Sequence, residues 1–248
     1  MQRVPTGIQG FDKLVDGGFP EHSIILVVGS AGSGKTIFGL EFVYRGATQF
    51  NEKGLYVTLE QEKDQLIKQA SQFGWDLADL ENRGMLEIMP VRLGDISVRL
   101  IEEILNKIKS KDIKRFVIDS ITSLNVNAPY HEILLREYSS ETRGSFPPIS
   151  DDIMTRRYIY SIFEQLRTLN IVSLMISEAF DPKQTQGIIS KDTVSEFASD
   201  GIVRISMETL GGEFSRSLLV SKMRMTKNDE DLHPLEMSRS GLVVHDSN

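Results

Sequence analysis

Along the chain, short apolar runs bounded by turn residues alternate with stretches of helical period. Residues 23–28 form a continuous aliphatic run and predict a buried strand. Residues 35–50 follow with Phe38, Phe42 and Phe50 among their apolar positions and predict a helix. A second strand is predicted at 55–59, a second helix at 64–73 and a third strand at 85–91. From 97 to 109, Leu100, Ile101, Ile104, Leu105 and Ile108 line one helical stripe. A fourth strand at 115–120 carries an acid, Asp119, near its end; a helix at 154–169 and a fifth strand at 171–176 complete the series. This rhythm predicts an α/β fold, a central and mainly parallel sheet flanked by helices. The tail changes character: strands at 201–208 and 215–224, joined across Gly211-Gly212, predict an antiparallel hairpin extension, and 242–245 a last short strand.

One segment breaks the pattern. Residues 125–152 contain Pro129, Gly144, Pro147 and Pro148 and show no helical period, so they are expected to be a mobile insertion. With no repeat or low-complexity linker elsewhere, residues 1–248 are expected to form a single domain.

Composition narrows the function classes. The 248 residues are 40% hydrophobic and 25% charged, enough for a core without staples. The absence of cysteine excludes disulfides and Cys-ligated zinc or iron, and the histidines (His22, His131, His233, His245) lack metal-ligand spacing. A net charge of −7 gives no general support for nucleic-acid binding. No membrane span or signal peptide is read, which predicts a cytoplasmic protein.

The chemistry is concentrated after the first long strand. Gly29-Ser30-Ala31-Gly32-Ser33-Gly34-Lys35-Thr36 fits G-x-x-x-x-G-K-[ST] in full, between a predicted strand and a predicted helix. The pattern alone arises by chance in roughly one chain of this length in a hundred. Glycines let such a loop turn its backbone N–H groups onto phosphate oxygens, and the following helix adds its positive end. Lys35 would reach the β- and γ-phosphates and Thr36 would ligate Mg2+. Asp119, at a strand's C-terminal end, is the second candidate metal residue. Glu60, after Val57-Thr58-Leu59, is a candidate general base; a helix cap or surface acid is the alternative for it. The expected ligands are ATP and Mg2+.

These motifs resemble the RecA superfamily and, within it, the KaiC-like single-domain ATPases. Thr6-Gly7-Ile8 with Phe11-Asp12 and Gly17-Gly18-Phe19-Pro20 is similar to the family's opening segment. Val57-Thr58-Leu59-Glu60 is similar to its strand-end acid, Asp119-Ser120 to its second Walker motif, and Ser177-Glu178 to its γ-phosphate sensor position. Lys222-Met223-Arg224, with His233-Pro234 downstream, is similar to its K-x-R segment. The resemblance implies that Glu60 is the catalytic base. It also implies that Lys222 and Arg224 reach a neighbouring copy's γ-phosphate, which requires a homo-oligomer, a ring (such as a hexamer) or a filament.

Three departures stand out. Gln61 occupies a position where clock-type members carry a second glutamate, and Ser195-Glu196-Phe197-Ala198 replaces the stretch near which clock-type kinases autophosphorylate. Met225 stands where glycine is usual. The 128–152 stretch is net acidic, unlike a nucleic-acid clamp, although Arg156, Arg157, Tyr158 and Tyr160 just beyond could form a small basic and aromatic patch. The function expected is Mg2+-dependent ATP hydrolysis in DNA recombination or repair, with single-stranded DNA or a recombinase as partner. The alternatives are a regulatory ATPase with a protein partner and a nucleotide-binding scaffold that hardly hydrolyses.

Overall fold

A computed structural model describes residues 2–130, 132, 151–179, 190, 194–210 and 213–247. Its centre is a nine-stranded sheet in the order β11-β10-β9-β8-β3-β7-β6-β4-β5. The strands are β3 (Ile24–Gly29), β4 (Gly54–Thr58), β5 (Leu86–Pro90), β6 (Arg115–Asp119), β7 (Val172–Glu178), β8 (Gly201–Leu210), β9 (Glu213–Met223), β10 (His233–Ser238) and β11 (Gly241–Val244). The first five and β8 run parallel, and β9 to β11 are antiparallel additions. A two-stranded sheet pairs β1 (Arg3–Val4) with β2 (Phe19–Pro20).

Alternation along β3 explains why that strand is apolar throughout. Ile25 and Val27 point into one core with Phe38 and Phe42 of α1 (Lys35–Gln49). Ile24, Leu26 and Val28 point into the other, with α4 (Val98–Ser110) and α6 (Asp151–Arg167). The stripe read on α4 is buried as predicted, at Leu100, Ile101, Ile104, Leu105 and Ile108.

The opening segment owes its pattern to one carboxylate. Asp12 accepts from Thr6 N at 2.8 Å, Thr6 Oγ1 at 2.6 Å and Gly7 N at 3.1 Å, closing a turn that delivers Phe11 to the core. Phe11 packs edge-on against Phe19 and Phe38. Gly18 has φ 136°, and a Cβ there would lie 2.4 Å from Val4 O.

Several expectations are corrected. The P-loop strand runs from Ile24 to Gly29, one residue later than 23–28. The helix expected at 64–73 is α2 (Lys63–Ser71), followed by an unexpected α3 (Leu77–Asn82). The segment 125–152 is not uniformly irregular: Asn125 and Val126 end α5 (Ile121–Val126), and Asp151 and Asp152 begin α6. Most of the expected insertion, and the Gly211-Gly212 turn, lie outside the described residues. Strands β1, β2 and β10 were not expected either. A short helix, α7 (Ser195–Ala198), precedes β8.

On each edge strand a carboxylate takes one backbone N–H. Glu81 Oε1 accepts from Ile88 N of β5 at 3.0 Å, and the buried Glu41 accepts from Leu242 N of β11 at 2.7 Å. Edge N–H groups so occupied do not offer a template for another strand. Among the described residues no helix is long and apolar enough to cross a membrane.

Candidate nucleotide site

The site lies at the C-terminal ends of β3, β4, β6 and β7, where loops leave the parallel strands. Gly29 ends β3; a Cβ on it would lie 2.4 Å from Ile205 O and 2.5 Å from Ser33 Oγ, so only glycine fits. Gly32 and Gly34 have φ 75° and 111°, and Gly34 starts α1 without any side-chain cap. Glycine at the N-cap brings no side chain of its own over the first turn of α1, which suits an anion site at a helix N-terminus. Ser30, Ala31 and Gly32 are exposed, whereas the Ser33 side chain is buried, so Ser33 can offer a ligand only its backbone. Lys35 Nζ donates to Ser30 O at 2.8 Å, folding over the loop.

Thr36 and Asp119 meet although 83 residues apart: Thr36 Oγ1 donates to Asp119 Oδ2 at 2.8 Å. The Tyr56 hydroxyl donates to the same oxygen at 2.7 Å. Asp119 is 3% exposed, and burial pushes its carboxyl above the ordinary range. The Tyr56 and Thr36 hydrogen bonds and Lys35 oppose that rise, and Glu60 adds to it. Burial also pushes the Tyr56 phenol well up, so it stays a donor.

Glu60 stands two residues beyond the end of β4, not on the strand, and is exposed. The turn that carries it is held by Thr58, whose Oγ1 donates to Gln61 O at 2.9 Å and accepts from Gln61 N at 3.1 Å. Gln61 does not share the carboxylate's surroundings; its Oε1 accepts from Gln69 Nε2 of α2 at 2.7 Å. Glu60 Oε1 accepts from Ser120 Oγ and, at 3.0 Å, from Ser123 Oγ. Glu178 ends β7 opposite Gly29, and its N–H donates to Thr122 Oγ1 at 3.0 Å.

Lys222 and Arg224 are elsewhere. Lys222 pairs with Ile202, which lies beside Leu26, and Arg224 N donates to Asp200 O at 2.8 Å. Arg224 is thus level with the start of β3, about 17 Å along the strand from the P-loop by strand rise. β9 ends at Met223, one residue short of the strand expected at 215–224, so Lys222 lies on the strand and Arg224 just past it. Lys222 Nζ donates to Ser199 O at 2.6 Å and Glu196 O at 2.9 Å; burial, aided by Arg224, lowers its pKa. Arg224 Nη1 pairs with Asp200 at 3.1 Å. Met225 adopts φ 57°, the left-handed conformation that the absent glycine would favour, and is 68% exposed. In the proposed basic and aromatic patch, Arg156, Arg157 and Tyr160 are exposed but Tyr158 is 4% exposed and belongs to the core. That corrects the patch to a single available ring.

Sequence reasoning missed Tyr56, Thr122 and Ser123. Tyr56 carried a signal, a polar-tipped ring within an otherwise buried strand, since a buried phenol demands a partner. The hydroxyls at Ser120, Thr122 and Ser123 directly after Asp119 carried another.

The residues fit a magnesium nucleotide. The loop can be built only with glycine at Gly29, and the Thr36 hydroxyl and Asp119 carboxylate are close enough to share one hard cation through oxygen. Comparison with known proteins gives the family. A family model described as the KaiC ATPase matches residues 4–138 and 145–248. A UPF0273 protein of Thermotoga maritima is 31% identical over 263 residues, covering 100% of this chain and 97% of that protein. The circadian clock oscillator protein KaiC of Prochlorococcus marinus is 30% identical over 253 residues, covering 98% of this chain and 46% of that protein. The chain therefore spans about half the length of that clock protein. The crystal structure of a KaiC-like protein from Pyrococcus horikoshii superposes with a TM-score of 0.78 at 28% identity, covering 99% of each chain. With its P-loop, its strand-end acids and its mostly parallel sheet, the chain belongs to the KaiC-like family of P-loop ATPases.

Proposed function

We propose that this protein is a Mg2+-dependent ATPase in which Glu60 is the general base and turnover is completed by a second copy of the chain. The observation that carries the reading is the shared oxygen of Asp119, which takes the Thr36 hydroxyl at 2.8 Å beside the exposed carboxylate of Glu60. Gly29, Ser30, Ala31, Gly32, Ser33 and Gly34 would offer backbone N–H groups to the phosphates, and Lys35 would leave Ser30 O to neutralise the β- and γ-oxygens. Mg2+, held by Thr36 and Asp119, would supply charge neutralisation between those phosphates. Glu60 would accept a proton from the attacking water, and Glu178 would report the γ-phosphate from the end of β7.

Lys222 and Arg224 support assembly by their distance. Strands of this length hold them well beyond side-chain reach of their own P-loop, so any action on a γ-phosphate must be on a neighbour's. That contact is heterologous and builds a ring or filament. A role in DNA recombination or repair is the finer reading, and it rests on resemblance alone. The relatives named above carry clock-oscillator and UPF0273 names. With Tyr158 in the core, the patch near Arg156 offers little base stacking. We therefore favour a regulatory ATPase with a protein partner.

The test is ATP turnover by wild type and Glu60→Gln, with Mg2+ or EDTA and with or without single-stranded DNA. The expected result is a Mg2+-dependent rate lowered about a hundredfold by Glu60→Gln and indifferent to DNA. Stimulation by DNA would restore the recombination reading, and an unchanged rate in Glu60→Gln would reduce the protein to a nucleotide-binding scaffold.

A further inference from the structure

The first turn of α5 follows directly on Asp119, and its side chains are three hydroxyls and one isoleucine. Ser120 is the N-cap: its Oγ accepts from Ser123 N at 3.1 Å while donating to Glu60 Oε1. Ser123 Oγ lies 3.0 Å from the same carboxylate oxygen and 3.0 Å from Ser120 Oγ. Thr122, between them, faces the other way: its Oγ1 accepts from Glu178 N at 3.0 Å and lies 3.2 Å from Ser177 Oγ. Ile121 is fully buried and anchors the turn in the core.

The last backbone bond between the ends of β4 and β6 is Leu59 N to Asp119 O at 2.7 Å, and these side-chain bonds carry the contact one residue further and on to the end of β7. Glu60 projects past the last paired residue of β4, Thr58, into an exposed turn, where a carboxylate has several rotamers open to it. Two hydroxyl protons on one oxygen select a single rotamer and leave Oε2 to receive a proton. From this geometry we propose that Ser123, together with the cap Ser120, is a positioning residue: it holds the Glu60 carboxylate in its working orientation, and α5 thereby sets the base against Asp119. The proposal rests on the reading of Glu60 as the base.

Ser123 is the clean test site. It is inside the helix rather than at its cap, and alanine favours a helix interior, so Ser123→Ala should not unfold α5. The experiment compares wild type, Ser123→Ala, Ser123→Thr, Glu60→Gln and the Ser123→Ala/Glu60→Gln double variant. It measures kcat and KM, fluorescent-nucleotide affinity, thermal midpoint and the intact mass after incubation with MgATP. Expected are a five- to twentyfold lower kcat (about tenfold) for Ser123→Ala with nucleotide affinity and midpoint unchanged, and recovery in Ser123→Thr, which keeps the hydroxyl. In the double variant the serine change should add nothing to Glu60→Gln, since a residue acting through another has no effect once that partner is gone.

A normal kcat in Ser123→Ala beside an impaired Glu60→Gln would overturn the positioning role and leave the base standing. A full-activity Glu60→Gln would remove the base and the positioning role together. Equal losses from Ser123→Ala in both backgrounds would mean the hydroxyl acts independently of Glu60, and a mass gain of one phosphoryl group lost in Ser123→Ala would make it an acceptor instead. Either result overturns the proposal.

Discussion

Arg115 and Asp119 stand at the two ends of the same strand, β6, and both are buried, at 0% and 3% exposure. Arg115 has hydrogen-bond partners on all three of its nitrogens. Its Nε bonds to Glu52 at 2.6 Å, and its Nη atoms reach the carbonyls of Pro5 at 2.7 Å, Phe42 at 2.9 Å and Thr6 at 3.3 Å. Its guanidinium also lies over the rings of Phe42 and Phe50, 4.6 and 4.9 Å from their centroids. Asp119 receives hydrogen bonds from two neutral hydroxyls, both on Oδ2, and burial raises its pKa. A buried charge that is fully paired belongs to the fold; one held by weak partners is available to a cation. The N-terminal edge of the sheet is thus built for cohesion and the C-terminal edge is left poised.

The strongest way to break this comparison is to remove Arg115. Arg115→Met should cost about 3–5 kcal/mol, because three carbonyls lose their donor and the N-terminal segment loses its tie to the sheet. Urea unfolding would show it, and a loss below about 1 kcal/mol would mean that the arginine is as poorly used as Asp119.

Asp119→Asn is the matching change at the other end. Without nucleotide its thermal midpoint should equal or exceed that of wild type, since a costly buried charge is gone. The stabilisation that ATP gives with Mg2+ over ATP with EDTA should disappear, and turnover should fall about a hundredfold. A markedly lower midpoint without nucleotide would show that Asp119 serves the fold after all.

Smaller effects sharpen the separation of the edges. Arg224→Ala should lower turnover about tenfold while leaving stability nearly unchanged, because its pair with Asp200 is half-exposed. Mixing Arg224→Ala with Glu60→Gln should recover activity, since one interface would then hold an intact base and an intact finger. Failure to recover would argue that Arg224 acts within its own chain or not at all. The smallest change is Met225→Gly, expected to raise stability by about 1 kcal/mol by relieving a left-handed φ of 57° at an exposed side chain. An unchanged unfolding midpoint would place that turn's strain elsewhere.

Legibility in the sequence followed the range of the interactions. The P-loop from Gly29 to Thr36 was readable because its phosphate chemistry lies within eight consecutive residues flanked by a strand and a helix. The parallel core was readable because strands buried on both faces are apolar throughout. Strand β10 was not, because His233–Ser238 is only six residues long and contains Pro234, which weakens a strand reading until its pairing with β9 and β11 is known. Helix α5 was hidden for a similar reason: six residues carry less than two turns of period.

By itself the sequence determined the fold class and the phosphate loop, since each is written in local spacing or in the period of one element, and it offered Glu60 and Asp119 as candidate acids. Only the tertiary structure decided what those acids touch. It brought Tyr56 and Thr36 onto one oxygen of Asp119, Ser123 onto Glu60, and Thr122 onto Glu178. It also set Lys222 and Arg224 at the far edge from their own P-loop. Those relations depend on strand order and register, which are chosen by packing across the whole sheet and leave no mark in the spacing of any single segment.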